Sequence, residues 1–250
     1  MKSIVCKNIK GQISSNPSKS YMIRILMITL ILKRDIQIYN PCLSDDCFSA
    51  INILKDFGFK IEFKQNLIIV IAPDKLILKN KKINCGESAT LFRMLSAILP
   101  ILDFQVQLIG ERSLLKRNFS DVSENLNSLG IKHKSNSGLL PIEIESSFEK
   151  DKVIIKANRS SQFLSGVIIA GSKKNIDITV DGNIASKTYI DLTLSVLEKF
   201  GINYIKTDYK NFSIDDVKNV KLDKITCESD WSGAAYFITA AAIAGQIELI

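Results

Sequence analysis

Apolar residues recur at helical spacing along this chain, and three of these runs close on a glycine followed by a short alternating stretch. The closures are Leu54-Lys55-Asp56-Phe57-Gly58-Phe59, Leu126-Asn127-Ser128-Leu129-Gly130-Ile131 and Leu197-Glu198-Lys199-Phe200-Gly201-Ile202. Their glycines stand at 58, 130 and 201, so the steps are about 72 and 71 residues, too regular for chance. Each glycine predicts a helix stop, where the left-handed backbone costs least without a Cβ.

A second pattern interleaves with the first: a small polar cluster, then a long apolar helix. It occurs at Ser18-Lys19-Ser20, Ser88-Ala89-Thr90, Ser160-Ser161-Gln162 and Ser232-Gly233-Ala234. Taken at Ser20, Thr90, Ser161 and Ser232, the steps are about 70, 71 and 71 residues. The helices that follow are apolar nearly all round, as from Ala234 to Ala244, which predicts burial inside a domain. Alternation predicts strands at Leu67–Ile71, Phe104–Leu108, Lys152–Lys156 and Ile176–Val180. The fold class is therefore α/β (α+β), with three repeated units from about Gly11 to Thr226. A fourth unit has begun when the chain reaches the apolar strand pattern of Gln246 to Ile250, so the sequence reads as truncated.

Charge and composition narrow the chemistry. The formal net charge is +7, but the lysines are scattered and no arginine-rich or aromatic-interleaved block accompanies them, which argues against nucleic acid. The five cysteines, Cys6, Cys42, Cys47, Cys85 and Cys227, are odd in number and lack a Cys-x-x-Cys pair. That disfavours a disulfide framework and a metal site and fits a reducing cytosol. His133, the sole histidine, lies in a polar stretch, where surface placement is preferred over a catalytic role. No secretory h-region precedes a cleavage site, and the run Ile25 to Leu32 is too short to cross a bilayer, so the expected location is cytoplasmic.

The polar clusters carry the candidate chemistry. A helix start presents unpaired N–H groups and the positive end of the helix dipole, so anions bind there readily. Hydroxyls add donors, and Lys19, Arg24 and Arg93 add charge. For one cluster alone, an N-cap is the preferred reading. Several in register predict parallel helices whose N-termini converge on one anion-binding face. A phosphorylated small molecule is as far as this reasoning reaches.

Pro17-Ser18-Lys19-Ser20-Tyr21-Met22-Ile23-Arg24 resembles the Ser-Lys-Ser-x-x-x-Arg segment of 5-enolpyruvylshikimate-3-phosphate (EPSP) synthases. Ser160-Ser161-Gln162 is similar to that family's Ser-Ser-Gln, Ser186-Lys187-Thr188-Tyr189-Ile190-Asp191 to its Ser-Lys-Pro-Tyr-Ile-Asp, and Gly110 to Arg117 to a phosphoenolpyruvate-binding segment. The resemblance covers nearly the whole chain in the family's order. It implies repeated βαβαββ units with buried parallel helices in an enolpyruvyl-transferase-like inverse α/β barrel. It also implies three parts: a first strand at 1–14 belonging to the C-terminal domain, an N-terminal domain at 15–227, and the start of the C-terminal domain at 228–250.

The implied reaction transfers the enolpyruvyl group of phosphoenolpyruvate to the 5-hydroxyl of shikimate 3-phosphate, releasing phosphate, with no cofactor or metal. By the resemblance, Lys19 touches both substrates, with Ser20 and Arg24 on the shikimate side. Ser160, Ser161 and Ser186 hold the 3-phosphate, Gln162 lies between the substrates, and Tyr189 lies near the shikimate ring. Ala89 and Arg117 face phosphoenolpyruvate, with Thr90 and Arg93 in support. The bland readings are Arg24 snorkelling to solvent, Arg117 as an exposed charge and Tyr189 as core. No catalytic acid or base is assigned in this stretch, so the 250 residues alone are expected to lack turnover; the complete enzyme is expected to be a monomer.

Three departures from the family pattern stand out. Glu87-Ser88-Ala89-Thr90-Leu91-Phe92-Arg93 occupies the place of Asn-x-Gly-Thr-x-x-Arg, so Ala89 adds a methyl and Glu87 a carboxylate beside an anion site. Asn118 stands where a proline usually follows Arg117. Asp45-Asp46 looks like paired carboxylates, but adjacent helix residues do not face each other, and capping after Ser44 is preferred. Cys85 is read as a structural thiol. The alternatives are a UDP-N-acetylglucosamine enolpyruvyl transferase, which Lys19-Ser20 and Ser160-Ser161-Gln162 oppose, and a non-catalytic anion-binding module.

Overall fold

A computed structural model describes residues 8–215, 220 and 222–249. Cys6, the first seven residues of the expected 1–14 segment, and Ile250 lie outside the described residues. After β1 (Ile9–Ile13), the first unit runs α1 (Lys19–Leu32), β2 (Ile36–Tyr39), α2 (Asp45–Asp56), β3 (Lys60–Lys64) and β4 (Leu67–Ile71). The second runs β5 (Lys82–Asn84), α3 (Ala89–Ile101), β6 (Val106–Ile109), α4 (Ser120–Ser128), β7 (His133–Asn136) and β8 (Leu139–Ile144). The third runs β9 (Lys152–Lys156), α5 (Gln162–Gly171), β10 (Ile176–Asp181), α6 (Lys187–Lys199), β11 (Tyr204–Thr207) and β12 (Asn211–Ile214). Then come β13 (Lys224–Thr226), α7 (Trp231–Ala244) and β14 (Gly245–Leu249).

The helix stops form as the glycines predict. Gly58, Gly130 and Gly201 take φ of 97°, 75° and 72°. In each, the glycine N–H reaches back three residues and the next N–H reaches back five: Phe59 to Leu54, Ile131 to Leu126 and Ile202 to Leu197, at 3.0–3.1 Å except 2.9 Å at Ile131. This is the Schellman closure. α3 closes the same way without a glycine: Asp103 takes φ 59°, and the Phe104 N–H bonds Leu99 at 3.2 Å. Phe104 is thereby drawn into the helix stop, its ring packing edge-on against Phe57 at 5.0 Å. The strand expected from Phe104 consequently starts at Val106. The other three strand expectations agree, with β10 extended by Asp181.

The three sheets share one topology. Their orders are β13-β2-β4-β3, β5-β6-β8-β7 and β9-β10-β12-β11, with the first pair parallel and the others antiparallel. Alternation along β2, β9 and β10 buries one face of each strand. Against these faces lie α1, α3 and α5, which are buried nearly all round and touch one another.

The first sheet takes its parallel strand from the far end of the chain. β13 pairs β2, while β1, the strand before α1, pairs β14, the strand after α7. The two crossing segments are pinned to each other: the Ser18 N–H donates to Glu228 O and the Asp230 N–H to Asn16 O, both at 2.8 Å.

α7 corrects one expectation. Its sequence predicts a buried helix, yet within it Ala234 alone is buried, and Tyr236 is 80% exposed. An all-apolar helix is buried only where partners surround it, and in the described residues α7 meets mainly β14 and β1.

The seam between α3 and α5 depends on Gly166. A Cβ there would stand 2.7 Å from Met94 O and 2.8 Å from Met94 Cα. Backbone cannot yield as a side-chain tip can, so the helices must separate. We predict that Gly166→Ala destabilises the chain by about 2 kcal/mol in urea unfolding. A change below about 0.5 kcal/mol would show that the seam has slack.

Candidate functional site

Two of the polar clusters begin with a structural cap. The Ser18 hydroxyl accepts from the Tyr21 N–H at 3.4 Å, and Ser88 from the Leu91 N–H at 3.3 Å. That leaves Lys19 and Ser20 in the first turn of α1, and Ala89 and Thr90 in that of α3. At α5, Ser160 Oγ accepts from the Gln162 N–H at 3.2 Å, while Ser161, the capping residue, makes no side-chain cap bond. Ser186 caps α6, also without a side-chain bond.

Arg24 brings these starts together. It is fully buried, so it does not snorkel. Its Nη1 donates to Ser20 O at 2.7 Å, Nη2 to Tyr189 O at 3.1 Å, and Nε to Thr193 Oγ1 at 2.8 Å; Nη2 also reaches Ser165 Oγ at 3.5 Å. One guanidinium thus joins α1, α5 and α6. Among the described residues, no carboxylate stands within ion-pair distance of it. Burial of the uncompensated charge pulls its pKa down to about 10.

A second linkage joins α3 to α5. Gln162 Nε2 donates to Thr90 Oγ1 at 2.7 Å, and Arg93 Nη1 to Gln162 Oε1 at 3.5 Å. Arg93 grips Asp121 through Nε at 3.0 Å and Nη2 at 3.3 Å, and lies 4.8 Å over the Phe119 ring. The loop before Ser186 is tied to the loop before Ser160 by the Ala185 N–H on Ala157 O at 2.9 Å.

The remaining positions sit around this framework. Lys19 pairs with Asp46 at 3.0 Å, so Asp46 neighbours the site as well as opening α2. Tyr189 is 41% exposed with Arg24 5.6 Å from its ring centroid, which excludes a core role. Arg117 is exposed at the end of the 3-10 turn 114–116. Asn118 accounts for its own departure: Oδ1 accepts from the Ser120 N–H and Nδ2 donates to Ser137 O, both at 2.9 Å, steering the chain into α4. Burial pushes the thiols of Cys47, Cys85 and Cys227 well above their ordinary range, as expected of structural cysteines.

Asp121, Ser165 and Thr193 were not singled out by sequence, and Asp46 was read only as a helix-start carboxylate after Ser44. Each is an ordinary helix residue whose partner lies 27 to 169 positions away, for which no local pattern exists.

The family model for EPSP synthase (3-phosphoshikimate 1-carboxyvinyltransferase) matches residues 5–250. The chain belongs to the EPSP synthase family. It is 31% identical over 247 residues to a 3-phosphoshikimate 1-carboxyvinyltransferase of Nitrosopumilus maritimus, covering 97% of this chain and 58% of the relative. The Buchnera aphidicola enzyme of the same name is 33% identical over 247 residues, covering 95% and 57%. The chain thus spans just under three-fifths of the curated relatives it matches. The solved EPSP synthase of Acinetobacter baumannii superposes with a TM-score of 0.80 at 23% identity, covering 98% of this chain and 56% of that one, a likeness of fold. Among the described residues, no helix is long and apolar enough to cross a membrane.

Proposed function

We propose that this chain supplies the shikimate 3-phosphate cradle, and part of the phosphoenolpyruvate site, of a 3-phosphoshikimate 1-carboxyvinyltransferase. The observation that carries the reading is Arg24, a buried guanidinium with no anionic partner among the described residues, holding the first turns of α1 and α6 beside the start of α5. An anionic substrate at that junction would supply the missing counter-charge. Ser160, Ser161 and Ser186 offer hydroxyl donors to a phosphate, and Lys19 and Ser20 reach the sugar-acid ring. Arg117, Gln162 and Ala89 face phosphoenolpyruvate, the exposed guanidinium suited to bind an oxyanion through two parallel hydrogen bonds.

In the reaction, the 5-hydroxyl oxygen of shikimate 3-phosphate gives up its proton and adds to C2 of phosphoenolpyruvate while C3 takes up a proton, which opens the double bond to a tetrahedral intermediate. Loss of inorganic phosphate from C2 together with a proton from C3 then restores the enol double bond. The acid–base groups for both steps belong, on this reading, to the part of the family fold that this chain does not match. We assign 15–227 to the N-terminal domain, and 1–14 and 228–250 to the C-terminal domain. The pairing of β1 with β14, and of β13 with β2, supports that division. We place the protein in the cytoplasm as a monomer.

Thermal unfolding of the 250-residue chain with added ligand tests the assignment. Shikimate 3-phosphate at millimolar concentration is expected to raise the midpoint, and UDP-N-acetylglucosamine to leave it unchanged. Stabilisation by the nucleotide sugar instead would reassign the substrate. A response to any phosphate ester alike would reduce the site to a general anion-binding module.

A further inference from the structure

Glu87 sits where a carboxylate should do harm, two residues before Ala89 on an anion-facing helix start. Its side chain is turned away to the neighbouring loop. Oε2 accepts from both the N–H of Ser113 at 3.1 Å and its hydroxyl at 2.6 Å, and Oε1 stands 3.5 Å from Arg112 Nη1. These donors hold the carboxyl below the ordinary glutamate range, Ser113 contributing most. On the same side, the Glu111 N–H donates to Gly86 O at 2.8 Å. Arg112 between these ties takes φ 40°, a left-handed backbone that a non-glycine residue holds only when its surroundings impose it.

The latched loop leads directly to Arg117. Ser113 O accepts from the Lys116 N–H at 3.3 Å and Leu114 O from the Arg117 N–H at 3.2 Å, while the Leu114 side chain is fully buried. Arg117 is otherwise exposed, so this short turn fixes where its Cα stands and the direction in which its side chain leaves the backbone.

We propose that Glu87 is a positioning residue, which latches the 111–117 loop through Ser113 and so aims Arg117 at the carboxylate or phosphate of phosphoenolpyruvate. The inference rests on the phosphoenolpyruvate reading above. It makes a prediction of opposite sign to simple electrostatics. Removing a negative charge near an anion site should tighten anion binding, whereas removing a latch should weaken it.

The test combines two measurements on the 250-residue chain and its Glu87→Gln, Ser113→Ala and Arg117→Ala variants. Amide hydrogen exchange reads the latch, and an NMR titration with phosphoenolpyruvate reads the consequence. Glu87→Gln and Ser113→Ala are expected to speed exchange across 113–117 by about tenfold, as for loss of a hydrogen bond to a charged group. Both should weaken phosphoenolpyruvate binding by about threefold to tenfold without moving the thermal midpoint. In the Arg117→Ala background, Glu87→Gln should then have no further effect on binding. Unchanged exchange overturns the latch. Faster exchange with unchanged or tighter binding overturns the positioning role while leaving the site assignment intact. Binding that survives Arg117→Ala undiminished, or no response from the parent chain, overturns the phosphoenolpyruvate assignment and the positioning role with it.

Discussion

Arg24→Met is expected to leave the chain at least as stable as the parent, by up to about 2 kcal/mol, and to abolish its stabilisation by shikimate 3-phosphate. Deleting a fully buried, hydrogen-bonded residue usually destabilises, so the expected sign needs its reason. Every acceptor that Arg24 uses has another donor available. Tyr189 O accepts from the Thr193 hydroxyl at 2.8 Å, the Ser165 hydroxyl can turn its own proton to Thr193 Oγ1 at 2.9 Å, and Ser20 O lies within the α1 hydrogen-bond ladder. Methionine therefore leaves no orphaned polar group and fills most of the volume. What disappears is the cost of holding a cation out of water without a counter-ion. That cost is what pulls the pKa down to about 10, a shift worth roughly 3 kcal/mol. A small residual cavity offsets part of the gain.

The linkage has a definite direction. From about pH 10 upward the unfolded chain binds more protons at this position than the native one, so Arg24 makes native stability rise with pH there. The Tyr21 phenol, pushed up to about 12 mainly by burial, acts oppositely from pH 10 upward, because the native state keeps a proton that the unfolded state releases. Comparing parent and Arg24→Met by urea unfolding at pH 7 isolates the arginine. A loss of 2 kcal/mol or more in the variant would mean that the guanidinium is a structural bond and not a charge awaiting a ligand.

Asp121→Ala is expected to cost about 3 kcal/mol, because it creates in Arg93 the condition that Arg24 already has. The Arg93–Asp121 pair is bidentate, and its side chains are only 14% and 10% exposed. Breaking one side leaves a desolvated guanidinium beside Phe119, and the released Arg93 can no longer brace Gln162 against Thr90. Urea unfolding of Asp121→Ala measures the loss, and the Arg93→Met/Asp121→Leu double variant should recover most of it by removing both charges. A single-variant cost below about 1 kcal/mol would show that water reaches Arg93 and that the pair is ordinary surface chemistry.

The contrast between these two arginines also explains how far the sequence could be read. Ser18-Lys19-Ser20 and Ser160-Ser161-Gln162 announce helix starts because capping is chemistry within three residues. The resemblance carried by these motifs then pointed to the family that the comparisons show. Nothing within three residues of Arg93 or Arg24 says that one meets Asp121 and the other meets only neutral oxygens. Likewise Glu87 looked like a repulsive intruder until its carboxylate was seen to hold Ser113, 26 positions away.

By itself the sequence determined the repeat, the Schellman stops at Gly58, Gly130 and Gly201, and the one-sided strands. All of these depend on backbone preference and on the period of burial, which neighbouring residues settle among themselves. Only the tertiary structure decided that β13 completes the first sheet while β1 leaves to join β14, that α7 stays exposed despite its apolar sequence, and that Arg24 has no carboxylate partner among the described residues. Partner choice is a long-range matter: a strand edge or a charge is satisfied by whatever the fold places beside it, and no local rule specifies which.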